Sequence, residues 1–357
     1  MKKIQKPYTI PIVLAAVISI AVYVAAVRII GEGRTLTGPE LDASLQMEKA
    51  IGIIRAFGEA HHIPIDEKAD PNRTYLMGPR RGPLITTLGN PGAKRTTINP
   101  NMAGLLVRLL KKAGVHSGDA VAVSASASFP ALMIASVCAV QALDARPLTM
   151  ISLGSSSYGA GNPDFHLLDM YRELHVSGIF HNALAAISLG GDLDAGRDFP
   201  AWAREQLIMD MQKTRVPVIH EPDLMKNVAL RIKRYNALAG DDAIKAFINC
   251  GGSYYNLGTH AQVLTVGPGL HRSLKLVPES TRGMLYAMAA RGIPVIHLLN
   301  IRDLVRRHGL PWDPVPLPAA GSAFRTSELP TGFYILAACY FILLGLNWLL
   351  FRNQRIH

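Results

Sequence analysis

Two long runs of apolar residues stand near opposite ends of the chain, at positions 8–27 and 332–351. Neither run contains a charged residue. Because a helix rises about 1.5 Å per residue, about twenty residues reach across about 30 Å of hydrocarbon. We therefore predict two transmembrane helices, one within residues 1–30 and one at 332–351. A cleaved signal peptide is the alternative for the first run, although a signal core of roughly 7–15 apolar residues is shorter.

Basic residues outside both runs predict how the chain crosses the membrane. Lys2, Lys3 and Lys6 precede the first run, and Arg352 and Arg355 follow the second. Positive residues are enriched on the cytoplasmic side, so we expect both termini in the cytoplasm. Two spans in a plasma (inner) membrane then place residues 29–331 outside the cytoplasm, where their chemistry works without cytoplasmic ATP.

Between the two runs, short apolar segments alternate with helical patterns. Strands are predicted at 120–123, 148–153, 185–189, 216–219, 243–249 and 293–296. Helices are predicted at 130–143, 164–175, 199–213, 224–239, 281–290 and 301–308. Such an alternation is typical of a mostly parallel sheet with helices on both faces. We therefore predict an extracytoplasmic α/β domain over 119–310, with a doubly wound, Rossmann-like sheet.

The segments around this domain follow other patterns. Residues 31–118 are predicted to form a linker, two helices at 39–62 and 100–113, and an irregular stretch at 63–98. Five prolines make residues 311–331 an extended linker before the second apolar run.

Composition and charge narrow the possible functions. Hydrophobic residues make up 49% of the chain and charged residues 18%, which excludes a mainly disordered protein. Part of the net charge of +11 lies beside the apolar runs, and no basic run remains in 29–331, so nucleic acid is not a predicted partner. The three cysteines exclude a disulfide scaffold, and Cys138 and Cys250 form either a single disulfide or two core thiols.

The loops that follow the predicted strands are candidate binding sites, because open parallel sheets bind ligands beyond the carboxyl ends of their strands. Ser124, Ser126 and Ser128 alternate in the run from the first strand into its helix. Their hydroxyls, together with the free N–H groups of the helix, suit an anion or a carboxylate. The alternative is a plain helix start capped by Ser128.

Three further loops extend this prediction. The loop after the second strand, 154–159, is polar and flexible, and paired glycines follow two other strands. Paired glycines permit positive φ and the near approach of either a ligand or another backbone segment. The predicted ligand-binding residues of these loops are Ser155, Ser157, Gly190, Gly191, Asp192, Gly251, Gly252 and Ser253.

Two histidines end predicted strands and complete the set of candidates. His220 and His297 are expected at the same edge of the sheet, either as an acid–base pair or ligands, or as hydrogen-bonded structural residues. The sequence lacks the phosphate-binding, dinucleotide-binding, nucleophile-elbow and zinc-protease motifs. We therefore assign no catalytic residue, no cofactor and no metal.

Several stretches of the central region together resemble a known family. They are residues 119–130, residues 148–154 with Tyr158-Gly159, the segment Asn162-Pro163-Asp164 and the two Gly-Gly turns. In this order they resemble the bacterial poly-gamma-glutamate system protein family, over most of 40–310 and both apolar runs. The resemblance implies a membrane protein encoded beside the machinery that makes and exports poly-gamma-glutamate, and it assigns no catalytic residue.

Three functions follow as hypotheses. The first is an accessory protein of polymer synthesis or export, which binds the anionic polymer or the membrane synthase. The second is an extracytoplasmic enzyme that acts on polyglutamate. The third is a sensor of a small glutamate-like ligand.

Overall fold

The computed structural model describes residues 9–31, 35–240, 243–322 and 331–352. Its helices are α1 (Thr9–Gly31), α2 (Pro39–Ala60), α3 (Pro91–Thr97), α4 (Asn101–Ala113), α5 (Pro130–Gln141), α6 (Leu167–Val176), α7 (Ala201–Gln212), α8 (Leu224–Ala239), α9 (Tyr254–Leu257), α10 (Met284–Ala290), α11 (Ile301–His308) and α12 (Thr331–Arg352). Its strands are β1 (Ile85–Thr87), β2 (Ala120–Ser126), β3 (Arg146–Ser152), β4 (Ser155–Ser156), β5 (Gly161–Asn162), β6 (Phe165–His166), β7 (Ala186–Ser188), β8 (Ile244–Cys250), β9 (Gly269–His271) and β10 (Val295–His297).

A six-stranded sheet forms the centre of the fold, in the order β7-β3-β2-β8-β10-β9. All neighbouring pairs are parallel except β10 with β9, which is antiparallel. The prediction of an α/β fold with a mostly parallel sheet is therefore confirmed. The register sets Ser126 beside Ser152 and Ser152 beside Ser188, so three strands end at one level and their loops meet there.

Helices cover both faces of this sheet, which explains why β2 is small or apolar and buried along its whole length. Phe247 points to the face where it packs with residues of α8 and α10, among them Tyr235 and Met288. Cys250, three residues later in the same strand, points to the other face, where its Sγ lies 3.1 Å from the Oγ of Ser136 in α5.

The sheet departs from the prediction at its two edges. Residues 216–219 form no strand, and only a bridge between Val218 and Ile187 joins them to β7. Pro217 has no N–H and cannot extend a ladder of hydrogen bonds. At the other edge, β9 comes from a segment between predicted elements, and its short length gave no periodic signal.

One compact unit contains 36–306 and 310–322, and so extends beyond the predicted domain at 119–310. Helix α2 packs on α4 and α5, and β1 pairs with β4, which ties the preceding segment to the sheet. The predicted irregular stretch also contains α3, which begins after Asn90. The side-chain Oδ1 of Asn90 accepts the N–H of Ala93 at 3.0 Å and caps this helix.

The other unit contains α1 and α12. Within α12, Gly332–Leu349 is long and apolar enough to cross a membrane, whereas the apolar part of α1, Pro11–Val27, is shorter than that length. Among the described residues one candidate span is therefore found, not two. The two helices run antiparallel, since Ser19 Oγ lies 2.9 Å from Tyr340 Oη and Asn347 Nδ2 donates to the Pro11 carbonyl at 3.2 Å.

The structure does not describe some of the basic residues on which the predicted topology rests. Lys2, Lys3, Lys6 and Arg355 are outside the described residues, and so is part of the predicted proline-rich linker, 323–330.

Candidate functional site

A cavity of about 470 Å³ opens where the central strands end. The chain leaves β2 for β3 on one side, and β8 occupies the other side of β2. Such a change of direction leaves a crevice between the loops of neighbouring strands, which is the usual ligand position in open α/β sheets. The cavity therefore lies where the predicted topology places a binding site.

The loop residues predicted from the sequence meet here in part. Those that line the cavity are Ser126, Ser128, Gly191, Asp192, Gly252 and Ser253. The lining residues outside that prediction are Thr86, Thr87, Leu88, Phe129, Ser152, Gly154, Ser156, Asp198, Tyr254 and Leu299. Residues 86–88 come from the stretch predicted as irregular, and no short-range pattern signals that this stretch reaches the sheet edge.

Three hydroxyls on the wall of this cavity lack partners. The Oγ atoms of Ser126, Ser152 and Ser253 are buried and make no hydrogen bond within the described part of the chain. A buried hydroxyl without a partner costs about 1–3 kcal/mol. Three of them at one cavity are typical of a surface that a polar ligand or ordered water completes.

Lys94 lies behind the same wall, with only 3% of its surface exposed. Its Nζ donates to the Ser128 carbonyl, lies 2.8 Å from Ser156 Oγ and sits 3.7 Å from the centre of the Phe129 ring. No carboxylate among the described residues pairs with it. Burial lowers the pKa of Lys94 to about 7, so the amine and the ammonium coexist at neutral pH.

Ser156 owes its position to two short pieces of secondary structure. It lies in β4, where it pairs with Thr87 of β1, and its backbone N–H donates to Ser128 Oγ at 3.0 Å. The hydroxyl of Ser128 is therefore used to hold Ser156. It does not cap α5, whose N-cap residue is Phe129 without a side-chain hydrogen bond, so the alternative role for Ser128 is wrong.

Several glycines of these loops lie where a neighbouring backbone segment or side chain approaches too closely for a Cβ. A Cβ on Gly154 would lie 2.4 Å from the Gly191 nitrogen, and one on Gly191 would lie 2.2 Å from Asp198 Oδ1. Gly190 and Gly191 have φ of 75° and 66°, which side chains disfavour. A Cβ on Gly251 would likewise meet Ser126 Oγ at 2.2 Å. The sequence predicted either a ligand or another backbone segment beside the paired glycines. For Gly190-Gly191 the structure shows the backbone of Gly154.

A buried ion pair holds this glycine loop from below. Asp194 accepts hydrogen bonds from Ser188 Oγ, the Gly190 N–H, Asn227 Nδ2 and Arg231 Nη2, at 2.7–3.1 Å. The Arg231 guanidinium also lies 3.3 Å from the centre of an aromatic ring, that of Tyr255. Both charged groups are fully buried and satisfied, and they fix the floor on which the loop rests.

Other predicted residues lie near the cavity without lining it. Ser124 Oγ donates to Asn256 Oδ1 at 2.7 Å, and Ser155 Oγ donates to the Ala127 carbonyl at 3.1 Å. Ser157 lines a neighbouring cavity of about 300 Å³ together with Arg80 and Arg81. The two cavities share the wall formed by 86–88.

The structure does not bring the two predicted histidines together. His220 is exposed beyond β7, whereas His297 is buried in β10, and β7, β3, β2 and β8 lie between them. His297 Nδ1 lies 2.9 Å from Asn249 Nδ2. Burial, helped by the charge of His271, lowers the pKa of His297 to about 4, so it stays neutral as a structural residue. Neither histidine lines the cavity.

Two remaining groups bear on the chemistry. Cys138 and Cys250 are buried free thiols, so the alternative of a disulfide is wrong, and burial raises the pKa of Cys250 to about 12. Within the described ranges, no cluster of three or more His, Cys, Asp or Glu residues is suited to hold a metal ion.

Comparison with protein-family models, with curated proteins and with solved structures gives no match for this chain. By its fold and cavity, the chain is an α/β protein with a polar cavity at the switch point of a mostly parallel sheet, and it also contains a candidate membrane helix.

Proposed function

We propose that this chain is a membrane-anchored accessory protein of poly-gamma-glutamate synthesis or export. Its cavity binds a segment of the anionic polymer, and its domain outside the cytoplasm presents that segment to the membrane synthase or exporter. The observation that carries the proposal is the wall of unpartnered serine hydroxyls, Ser126, Ser152 and Ser253, at a cavity open to solvent.

The electrostatics around this wall favour a carboxylate ligand. Ser128 and Phe129 line the cavity and precede α5, and the amino end of a helix stabilises negative charge. Arg80 and Arg81 line the neighbouring cavity, and both are exposed. A polymer with a carboxylate on every residue contacts both cavities where it crosses residues 86–88, so its negative charges interact favourably with the helix end in one cavity and with the arginines in the other.

The lining of the same cavity also contains two carboxylates, which accept hydrogen bonds from the amides of such a polymer. Asp192 and Asp198 line the cavity and are exposed. Each amide bond of the polymer offers an N–H donor, and a carboxylate accepts such a donor in a strong, charge-assisted hydrogen bond. The mixed lining therefore suits a chain with alternating carboxylates and amides better than it suits a simple anion.

The terminal helices support the proposed topology. Pro11 lies beside Asn347 and Ser19 beside Tyr340, so the ends of α1 and α12 nearest the termini lie on the same side of the pair. The proposal takes α1 across the bilayer beside the one candidate span, in α12, which puts both termini on one side, and the flanking basic residues assign that side to the cytoplasm. Interhelical bonds from Ser and Asn are typical of membrane pairs.

The test is binding of defined poly-gamma-glutamate to the full chain in detergent micelles, measured by calorimetry at low and at high salt. We expect the double variant Arg80→Ala/Arg81→Ala to bind about tenfold more weakly, with a smaller dependence on salt. The matched control, Arg172→Ala/Lys213→Ala, removes two exposed positive charges from α6 and the end of α7. Absence of binding by the wild type, or an equal loss in both variants, would contradict the proposal.

A small-ligand sensor is the second candidate, because about 470 Å³ is also the size of a small-molecule pocket. Competition separates the two functions. Free glutamate that displaces the polymer at equal molar concentration supports the sensor, whereas displacement only by longer chains supports the polymer site.

A further inference from the structure

Ser156 and Lys94 form a polar pair that binding alone does not require. Ser156 lines the cavity and keeps 9% of its surface exposed, and Lys94 Nζ lies 2.8 Å from its Oγ. A Cβ on Gly89 would lie 2.3 Å from the Ser157 carbonyl oxygen and 3.3 Å from both Lys94 Cε and Ser156 Oγ, so the backbone of Gly89 packs closely beside the pair. Ser156 thus borders the cavity, and its hydroxyl contacts the amine of Lys94.

We propose that Ser156 is a nucleophile and Lys94 its general base, and that the pair cleaves an amide bond of an acyl chain bound in the cavity. Serine–lysine pairs carry out acyl transfer on unrelated folds, and the geometry of the groups identifies them rather than a shared motif. The choice of a gamma-glutamyl amide as the substrate rests on the proposed function, whereas the pair itself does not.

The surroundings of Lys94 suit a base. Its hydrogen bond to the Ser128 carbonyl uses one N–H, which leaves the lone pair of the neutral amine for the Ser156 proton. No carboxylate among the described residues stabilises the ammonium, and burial lowers its pKa to about 7, the range in which a general base is most effective. The ionisable neighbour in sequence, Arg95, is directed to Asp313 at 2.5–2.7 Å.

The reaction balances with water as the second substrate. Ser156 Oγ attacks the carbonyl carbon while its proton passes to Lys94 Nζ. The C–N bond then breaks, and the ammonium of Lys94 returns this proton to the leaving amine. Water attacks the acyl-serine ester, Lys94 takes a proton from it, and the ester C–O bond breaks as that proton returns to Ser156 Oγ. The products are a carboxylic acid and an amine.

The amino end of α5 adjoins the place where negative charge develops. Ser128 and Phe129, which precede this helix, line the cavity beside Ser156. A helix end of this kind stabilises an oxyanion. The unpartnered hydroxyls of Ser126 and Ser152 are further donors at the same wall.

The first test uses a fluorophosphonate probe on the full chain in detergent micelles, with the labelled residue identified by mass spectrometry. Attack by Ser156 forms an O–P bond and releases fluoride, and the serine proton passes to Lys94. We expect the label on Ser156 and a loss of at least about 100-fold in labelling rate in Lys94→Met. The control variants, Ser177→Ala and Lys213→Met, lie at exposed positions and should label as the wild type does. No label on Ser156, or the same rate in Lys94→Met, would overturn the inference.

The second test measures the chain length of poly-gamma-glutamate after incubation with each variant. We expect shortening by the wild type and a loss of at least about 1,000-fold in Ser156→Ala, whereas the control Ser177→Ala should shorten the polymer as the wild type does. Binding by the wild type with neither label nor shortening would overturn this inference and leave the proposed function intact. Label on Ser156 without polymer binding would overturn the proposed function and leave the nucleophile and its base intact.

Discussion

Two buried cations of the same domain have opposite surroundings. Arg231 is fully buried below the glycine loop, with Asp194 at 2.7 Å, Ser188 at 2.8 Å and an aromatic ring over its guanidinium. Lys94 is nearly as buried at the wall of the cavity, with a carbonyl, a hydroxyl and a ring around it and no carboxylate within the described residues. Arg231 therefore has a buried countercharge, whereas Lys94 has hydrogen bonds but no countercharge in the described part of the chain.

The presence or absence of a countercharge distinguishes a buried cation that stabilises the fold from one that is a candidate for chemistry. A buried charge is costly unless a partner neutralises it, and the Arg231 network meets that requirement inside the protein. Lys94 avoids an uncompensated buried charge only when it loses its proton or when a ligand supplies a negative charge. A group that keeps an unfavourable position next to an open cavity is a candidate for chemistry, since perturbed titration concentrates at functional sites.

The largest expected effect comes from removing each cation in turn. We expect Arg231→Met to lower the free energy of unfolding by about 3–5 kcal/mol, because it leaves Asp194 buried without its countercharge. Lys94→Met should leave the free energy of unfolding unchanged or raise it at neutral pH, because methionine fills a similar volume without a charge to desolvate. Urea denaturation of the full chain in detergent micelles measures both.

A double variant tests whether the first loss comes from the unpaired carboxylate. Arg231→Met combined with Asp194→Asn should lose less stability than the sum of the two single variants. If Lys94→Met proved as destabilising as Arg231→Met, the contrast between the two cations would be wrong.

The next effect is the part of the pH dependence of stability that Lys94 contributes. Its pKa is about 7 in the folded chain and near 10.5 in the unfolded chain, so between these values the unfolded state binds one more proton. The free energy of unfolding therefore rises with pH in this window. The wild type should gain about 2 kcal/mol relative to Lys94→Met between pH 7 and pH 9.

The difference between the two proteins cancels the titration of the other groups. If the wild type instead lost stability relative to Lys94→Met as the pH rises, the ammonium would be stabilised inside the fold. The argument that Lys94 acts as a base would then fail. Equal curves for the wild type and Lys94→Met would have the same consequence.

Much of the fold could be predicted from the sequence because hydrophobic periodicity depends on near neighbours. Helix α8 begins and ends at the predicted residues, 224 and 239, with Asp223 as its N-cap. The strand predicted at 216–219 failed because Pro217 limits it to a bridge, and periodicity does not count hydrogen-bond donors. The edge strand β9 was missed because three residues are too few for a period.

The candidate site was predicted in part for the same reason. Ser126 and Ser128 follow a strand that the sequence shows clearly, so their place at the cavity follows from topology. The pairing of Lys94 with Ser156 was not predicted, because the two residues are sixty-two positions apart in sequence and meet only where β1 pairs with β4. The identity of neighbours across such a distance is a property of tertiary packing, which local patterns do not contain.

The smallest expected effect compares two serines at neighbouring strand ends. Ser152 and Ser188 face each other in register across β3 and β7, and both are fully buried. Ser188 Oγ donates to Asp194 and accepts from Arg231, whereas Ser152 Oγ has no partner within the described chain. We expect Ser188→Ala to lower the free energy of unfolding by about 1–2 kcal/mol, and Ser152→Ala to leave it unchanged or raise it, because that variant removes a buried hydroxyl without a partner.

The same pair should respond in the opposite order to ligand. Because an unpartnered hydroxyl gains a hydrogen bond only when ligand enters, Ser152→Ala should weaken the binding of poly-gamma-glutamate, whereas Ser188→Ala should weaken it less. Calorimetric titration of both variants, with the urea midpoints measured on the same preparations, gives the two effects side by side. If Ser152→Ala destabilised the protein more than Ser188→Ala and weakened binding less, the Ser152 hydroxyl would serve stability and not ligand binding. The cavity wall would then need no ligand to complete its hydrogen bonds, as the Arg231 network needs none.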